Sequence, residues 1–253
     1  MLLKLFNHKN KIVFITGSSG QIGNAIVKLY LNLGCKVYGL DINQSKIKHK
    51  NFFFNRIDIT NDNQVKKIIE NIFKKHKKID VLINNAGTSV YSKIDKRNNS
   101  ELQKVYELNL RSVINIIKFF FIGHKKYKSR SCSIINVASI YGFLSPDFRI
   151  YSRGERFSAE IYGATKASVI QITKYFSVLL APYNIRVNSL SPGGIQNKNI
   201  QTKKFMKKYS SRVPLNRMGN TDDLLTTLIY LSSDWSQYTT GQNITVDGGL
   251  SSK

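Results

Sequence analysis

The sequence predicts an α/β fold: a parallel, doubly wound sheet of about seven strands with helices on both faces. Three observations predict it. Short apolar runs alternate along the chain with longer stretches of helical periodicity, as crossover helices between parallel strands require. The short runs are continuously apolar, as strands covered on both faces must be. A glycine-rich turn joins the first run to the first helix, the place where such sheets bind ligands.

Each element follows in order. Residues 11–16 (KIVFIT) read as the first strand. Residues 22–33 place Ile22, Ala25, Ile26, Leu29, Tyr30 and Leu33 at helical spacing, and Gly34 closes the helix. Residues 36–40 and 52–57 are strands, and 61–76 is a helix with Val65, Ile68, Ile69, Ile72 and Phe73 on one face. Residues 79–84 form a strand, 100–126 a long helix, and 133–137 a strand. Residues 159–183 are helix, 185–190 strand, 221–232 helix and 243–246 the last strand.

The chain has 253 residues, a net charge of +24 and 42% hydrophobic residues. This length and composition fit one domain, residues 1–253, and exclude collagen, a disordered chain and a disulfide scaffold. Cys35 and Cys132 form no CxxC pair, so neither a metal site nor a disulfide is expected. The reducing cytoplasm is the expected compartment. The apolar run 113–122 is interrupted by Asn115 and Lys118 and is too short to span a bilayer. The charge comes from 29 Lys and 10 Arg spread along the whole chain, beside 24 Asn and 30 Ile. These are residues that A/T-rich codons favour. With no zinc-finger spacing or aromatic RNA-binding pattern present, the charge reads as a solvated surface, and neither nucleic acid nor membrane is an expected partner.

The chemistry begins at Thr16-Gly17-Ser18-Ser19-Gly20-Gln21-Ile22-Gly23. Gly17, Gly20 and Gly23 permit a tight turn, close backbone approach and close helix–strand packing. The helix start at Ser19, Gln21 and Ile22 offers free N–H groups to a pyrophosphate. This is the Rossmann-type arrangement, found here in the strand–turn–helix context it needs. Asp41 ends the second strand, where a carboxylate accepts from ribose hydroxyls and repels a 2′-phosphate, so NAD rather than NADP is expected. Lys46 and Lys48 lie nearby and oppose that expectation. Asp58, followed by Ile59, could accept from an adenine amino group or cap the next helix. Asn85, Ala86 and Gly87 end the fourth strand with small residues that let backbone approach a cofactor.

Tyr162 and Lys166 stand at i and i+4 in a predicted helix, on one face. An ammonium beside a phenol favours the phenolate and tunes it for proton transfer near neutral pH. Ser139 ends the fifth strand at the carboxyl edge of the sheet, and Asn109 lies in the long helix.

Taken together, these motifs resemble the short-chain dehydrogenase/reductase family, over about residues 11–249. The resemblance is carried by TGSSGQIG (16–23), NNAG (84–87), Asn109, Ser139, Tyr162 with Lys166, SPGG (191–194), TGQ (240–242) and VDGG (246–249). It implies that Tyr162 exchanges the proton, Lys166 holds the nicotinamide ribose and lowers the tyrosine pKa, Ser139 bonds the reacting oxygen, and Asn109 supports a proton-relaying water. Pro192, Gly193 and Ile195 would border the nicotinamide. The resemblance also implies a homotetramer or homodimer joined through its long helices, and no metal.

Three departures stand out. Gln21 occupies the position where single-domain members place a glycine. The spacing of 23 between Ser139 and Tyr162 is longer than usual by an insertion at 143–157. Asn197 replaces the usual cofactor-binding Thr. A substrate lid is expected near 196–213. The combined pattern resembles members from bacterial surface-glycan and flagellin-modification loci. Arg149, Arg153 and Arg156, with Tyr151 among them, would clamp an anionic sugar. Three readings follow: an NAD-dependent oxidoreductase of a sugar or sugar phosphate, a reductase of another carbonyl such as a 3-oxoacyl thioester, and a non-catalytic cofactor- or nucleic-acid-binding protein.

Overall fold

In a computed structural model, described over residues 7–151 and 158–252, the expected sheet is present. Its strands are β1 (Ile12–Thr16), β2 (Lys36–Asp41), β3 (Phe52–Arg56), β4 (Val81–Asn84), β5 (Cys132–Val137), β6 (Ile185–Pro192) and β7 (Asn243–Val246). They lie in the order β3-β2-β1-β4-β5-β6-β7, and every pair is parallel.

The two faces are visible in β1 itself. Ile12 and Phe14 join one core with α2 (Asp62–His76), α4 (Ser112–Tyr127) and the end of α5 (Glu160–Leu180). Val13 and Ile15 join the other core with α1 (Gln21–Asn32) and α7 (Asp222–Ser232). Alternate residues of a strand point to opposite faces, so a strand covered twice has no polar position to spare. All five residues of β1 are buried.

Three elements differ from expectation. The long helix 100–126 starts at Asn98, whose side chain forms a capping box with Glu101, and it is not uniform. Helix α3 (Asn99–Tyr106) passes through a π-helical turn, Glu107–Arg111, before α4 begins. Such insertions often mark functional sites, and Asn109 sits inside this one. The helix expected over 159–183 ends at Leu180. Pro182 confines the remainder to a 3₁₀ turn, Ala181–Tyr183, because proline lacks the N–H that would continue the α-helix. A short helix, α6 (Lys203–Ser210), lies within the expected lid and is capped by Thr202.

Among the described residues no helix is long and apolar enough to cross a membrane. Cys35 and Cys132 are free and buried. Gly123 of α4 has the Phe73 ring where its side chain would be: an added Cβ would lie 2.3 Å from Phe73 Cδ2. Gly123→Ala should therefore destabilise the fold by about 1–3 kcal/mol, read as a lower urea midpoint at unchanged slope.

Candidate active site

The glycine turn and the end of β4 are built as one piece. Asn85 Nδ2 donates to the Thr16 and Gly17 carbonyls at 3.0 and 3.1 Å. The Asn85 and Ala86 N–H groups both donate to Thr16 Oγ1 at 3.1 Å. Gly17 has φ +67°, and a Cβ on it would meet Ala86 Cα at 2.8 Å. A Cβ on Gly23 would fall 1.9 Å from the Gly17 carbonyl oxygen. Both positions exclude any side chain. Gly20 tolerates one better, with its nearest neighbour at 3.5 Å, and serves as the N-cap of α1 without a side-chain cap. The leading N–H groups of that helix have no partner within it, which is the donor set an anionic diphosphate needs.

Asp41 is 8% exposed. Its two carboxylate oxygens accept from the N–H of Ser19 at 2.9 Å and of Asn43 at 2.8 Å. Each oxygen keeps a lone pair for a further donor. Asp58 is exposed and accepts from the Thr60 N–H and hydroxyl at 2.9 and 2.8 Å. It does not cap the next helix, because Asn61 does so through the Gln64 N–H. The Ile59 side chain is buried in the core, so only its backbone can meet a ligand.

Four residues from three segments, the π-turn, the end of β5 and α5, converge beyond the carboxyl ends of β4 and β5. Ser139 and Tyr162 are hydrogen-bonded side chain to side chain. Ser139 Oγ also accepts from the Tyr141 N–H at 3.2 Å. Lys166 is 4% exposed and donates to the Val137 carbonyl at 2.7 Å. Asn109 accepts from the Thr88 N–H at 2.8 Å and donates to the Thr88 carbonyl at 2.9 Å and to Thr165 Oγ1 at 3.1 Å. The π-turn thus clamps the loop after β4 against α5.

The electrostatics correct one expectation. Burial raises the Tyr162 phenol above its ordinary value, and the Ser139 bond only partly offsets this. Lys166 does not supply the expected lowering. Its Nζ sits 5.7 Å from the Tyr162 ring centroid and is aimed at Val137, and desolvation lowers its own pKa to about 8.

Two adjoining cavities open here. One, of about 300 Å³, is bordered by Gln21, Asn85, Lys166, Pro192, Gly193 and Ile195. The second, of about 860 Å³, shares Ser139 and Tyr162 with it and is walled by Tyr91, Tyr141, Tyr151, Tyr209 and Phe205. Tyr91, Tyr141, Phe205 and Tyr209 escaped the reading of the sequence. Two signals were present: Tyr141 lies two residues after Ser139, and Phe205 with Tyr209 is an i, i+4 aromatic pair.

Tyr209 accepts from the Gly194 N–H at 2.6 Å, with its ring where a Gly194 side chain would be. Tyr151 is within 5.5 Å of Phe205 by ring centroids and hydrogen-bonds Tyr141. The anionic clamp is not supported by its described arginine. Arg149 has an 82% exposed side chain and pairs with Asp147 at 2.9 Å, away from the cavity lining. Arg153 and Arg156 lie outside the described residues. Among the described residues no His/Cys/Asp/Glu cluster could hold a metal.

Comparison with known proteins places this geometry. The family profile described as enoyl-(acyl carrier protein) reductase matches residues 17–251. The 3-oxoacyl-(acyl-carrier-protein) reductase FabG of Thermotoga maritima is 32% identical over 255 residues, covering 96% of this chain and 98% of that protein. A short-chain dehydrogenase from Leptospira borgpetersenii, solved with bound NAD+, superposes with a TM-score of 0.90 at 38% identity over 96% of this chain and 93% of its own. The aldohexose dehydrogenase of Thermoplasma acidophilum superposes with a TM-score of 0.86 at 28% identity over 98% and 97%.

The depressed Lys166 pKa has a measurable consequence. Between about pH 8 and the ordinary lysine value the unfolded chain holds one more proton than the folded one, so this group makes stability rise with pH across that window. Below it the burial penalty is constant. The stability of wild type relative to Lys166→Met should therefore climb from about pH 8 to about pH 10. Denaturant titrations at several pH values read this difference, and a flat difference would show Lys166 to be ordinarily protonated.

Proposed function

The chain belongs to the short-chain dehydrogenase/reductase family, and on that premise we propose that it interconverts a hydroxyl and a ketone on a neutral sugar or polyol, with NAD(H) as its cofactor. One observation carries the substrate class. Apart from Tyr162 and Ser139, the larger cavity is lined by tyrosines, hydroxyls, the Gln201 amide and apolar groups, with no Lys, Arg, Asp or Glu among its described lining residues. Burial pushes the Tyr209 phenol up to about 12 and raises Tyr141 well above its ordinary value, so both stay neutral hydrogen-bonding partners. Aromatic faces with hydroxyl rims suit a sugar ring. Among the described lining residues a carboxylate or phosphate would find no cation to offset its desolvation.

The residues fit a dinucleotide. Side chains are excluded where backbone must approach at Gly17 and Gly23, α1 presents its N-terminus, and Asp41 retains acceptor capacity. Once bound in this cleft, the nicotinamide group supplies or removes the hydride. The chain's own residues do the rest. In reduction, Tyr162, kept protonated by burial, donates its hydroxyl proton to the ketone oxygen, while Ser139 donates a hydrogen bond to the same atom. In oxidation Tyr162 takes the proton back, and Ser139 still donates to the same oxygen as it becomes a carbonyl. Asn109, bonded to Thr165 on the same helix as Tyr162, and Lys166, bonded to Val137, hold that helix turn in place. Asp41, placed at the ribose end, favours NAD over NADP because a 2′-phosphate would meet its negative charge.

A second reading is favoured by sequence likeness: a FabG protein is 32% identical over nearly the full length. A 3-oxoacyl thioester would use the same four residues. A panel of neutral sugars, polyols, sugar phosphates and 3-oxoacyl thioesters, followed at the NADH absorbance band, separates the two readings. Turnover confined to thioesters would overturn the first.

Tyr162→Phe should lower turnover by about 10²–10⁴ while cofactor affinity, read by NADH fluorescence, changes little. Asp41→Ala should weaken NADH binding about tenfold and narrow its advantage over NADPH. Assembly is proposed through α4 and α5, where Tyr175 and Val178 are 62% and 78% exposed. Val178→Glu should shift the light-scattering mass from a dimer or tetramer toward the monomer.

A further inference from the structure

Gln21 replaces a glycine in the family's usual turn, and the structure shows what its side chain does. Gln21 Nε2 donates to the backbone carbonyl of Gln196 at 2.6 Å. Gln21 is the first residue of α1, in the phosphate-binding turn. Gln196 lies at the root of the segment that carries α6. The cavity of about 300 Å³ with Lys166 and Pro192 on its walls lies between them and is bordered by Gln21 itself.

The other hydrogen bonds of this root run in different directions. Gly194 N–H donates to Tyr209, and its carbonyl accepts from Gly219 N–H at 3.0 Å. Gln196 N–H donates to the Gly219 carbonyl at 2.8 Å. Gln201 Nε2 returns to the Ile195 carbonyl at 3.1 Å. These contacts fasten the root to α6 and to the chain entering α7. The Gln21 bond instead crosses the cleft.

We infer that Gln21 is a strap over the cofactor cleft, tying the phosphate-binding turn to the lid root and limiting how fast a dinucleotide enters and leaves. This rests on the reading of that cleft as a nicotinamide dinucleotide site. A glycine at 21 has no atom that could reach Gln196. The bond is one neutral hydrogen bond at an exposed position, whose net worth corresponds to a factor of about three to ten in the opening equilibrium. Because the bond forms between two parts of the protein and not with the ligand, breaking it should speed entry and release by the same factor and leave the dissociation constant nearly unchanged.

Gln21→Met keeps the length of the side chain and removes the donor; Gln21→Gly restores the usual residue. Stopped-flow fluorescence of NADH, with no substrate present, gives both rate constants. Both variants should show association and release raised about three- to tenfold at a dissociation constant within about twofold of wild type. Limited proteolysis of the apo protein should cut the 196–213 segment faster in both variants. Unchanged rates and unchanged cleavage would overturn the strap. Faster release with an unchanged association rate would also overturn it, showing Gln21 to be a direct ligand contact. If NADH and NADPH bind neither variant nor wild type, the cofactor reading has failed, and the proteolysis rates alone decide for or against the strap.

Discussion

Between β1 and β4 the strand order reverses, so the chain leaving β1 and the chain leaving β4 turn to opposite sides of the sheet. A crevice opens where they part, and the rest of the site depends on how tightly its two lips are joined. Thr16, Gly17, Asn85 and Ala86 close it at the bottom with four hydrogen bonds and a backbone contact that admits no Cβ. Had either glycine a side chain, the helix start would stand away from the strand end. The unpaired N–H groups of α1 would then no longer face the crevice.

Above that seam the site is made of neutral hydrogen-bonding groups and one buried cation. Lys166 keeps its place by donating to Val137, and the price of its burial appears as the lowered pKa. Burial thus lowers the Lys166 pKa and raises that of the Tyr162 phenol, four residues before it on the same helix. Asn109 does not touch the phenol. Its side chain bonds Thr88 and Thr165, which makes it a brace between the loop after β4 and the helix carrying Tyr162 and Lys166.

The substrate side is set by segments that the sheet does not define. Ile150 is buried with Tyr209, Val213 and Met218, so the described part of the 143–157 segment is anchored by an apolar cluster on α6 and the residues that follow it. Tyr151 follows directly and reaches the cavity wall. Among the described residues no Lys or Arg lines the larger cavity. With 39 Lys and Arg against 15 Asp and Glu, acids are contested, and Asp147 is shared by Arg149 and Arg212. That pairing holds Arg149 away from the place where a substrate clamp would need it.

Local pattern determined the sheet, its parallel sense and the two-sided cover, because apolar periodicity depends only on which faces are buried. It also marked Gly17, Gly23, Asp41, Ser139, Tyr162 and Lys166 as candidates by their places at strand ends or on a helix face, and resemblance to the family supplied their roles. Tertiary structure decided what these residues meet. The Lys166 ammonium is directed to a carbonyl 29 positions away in the chain, which i, i+4 spacing cannot reveal. Asn109 in the π-turn bonds Thr88 and Thr165, which a uniform helical pattern hides. Arg149 turned outward because Asp147, two residues before it, captured it first. Gln21 found Gln196 across 175 positions. Contacts of that range depend on how separate elements are brought together, and no local run of residues contains them.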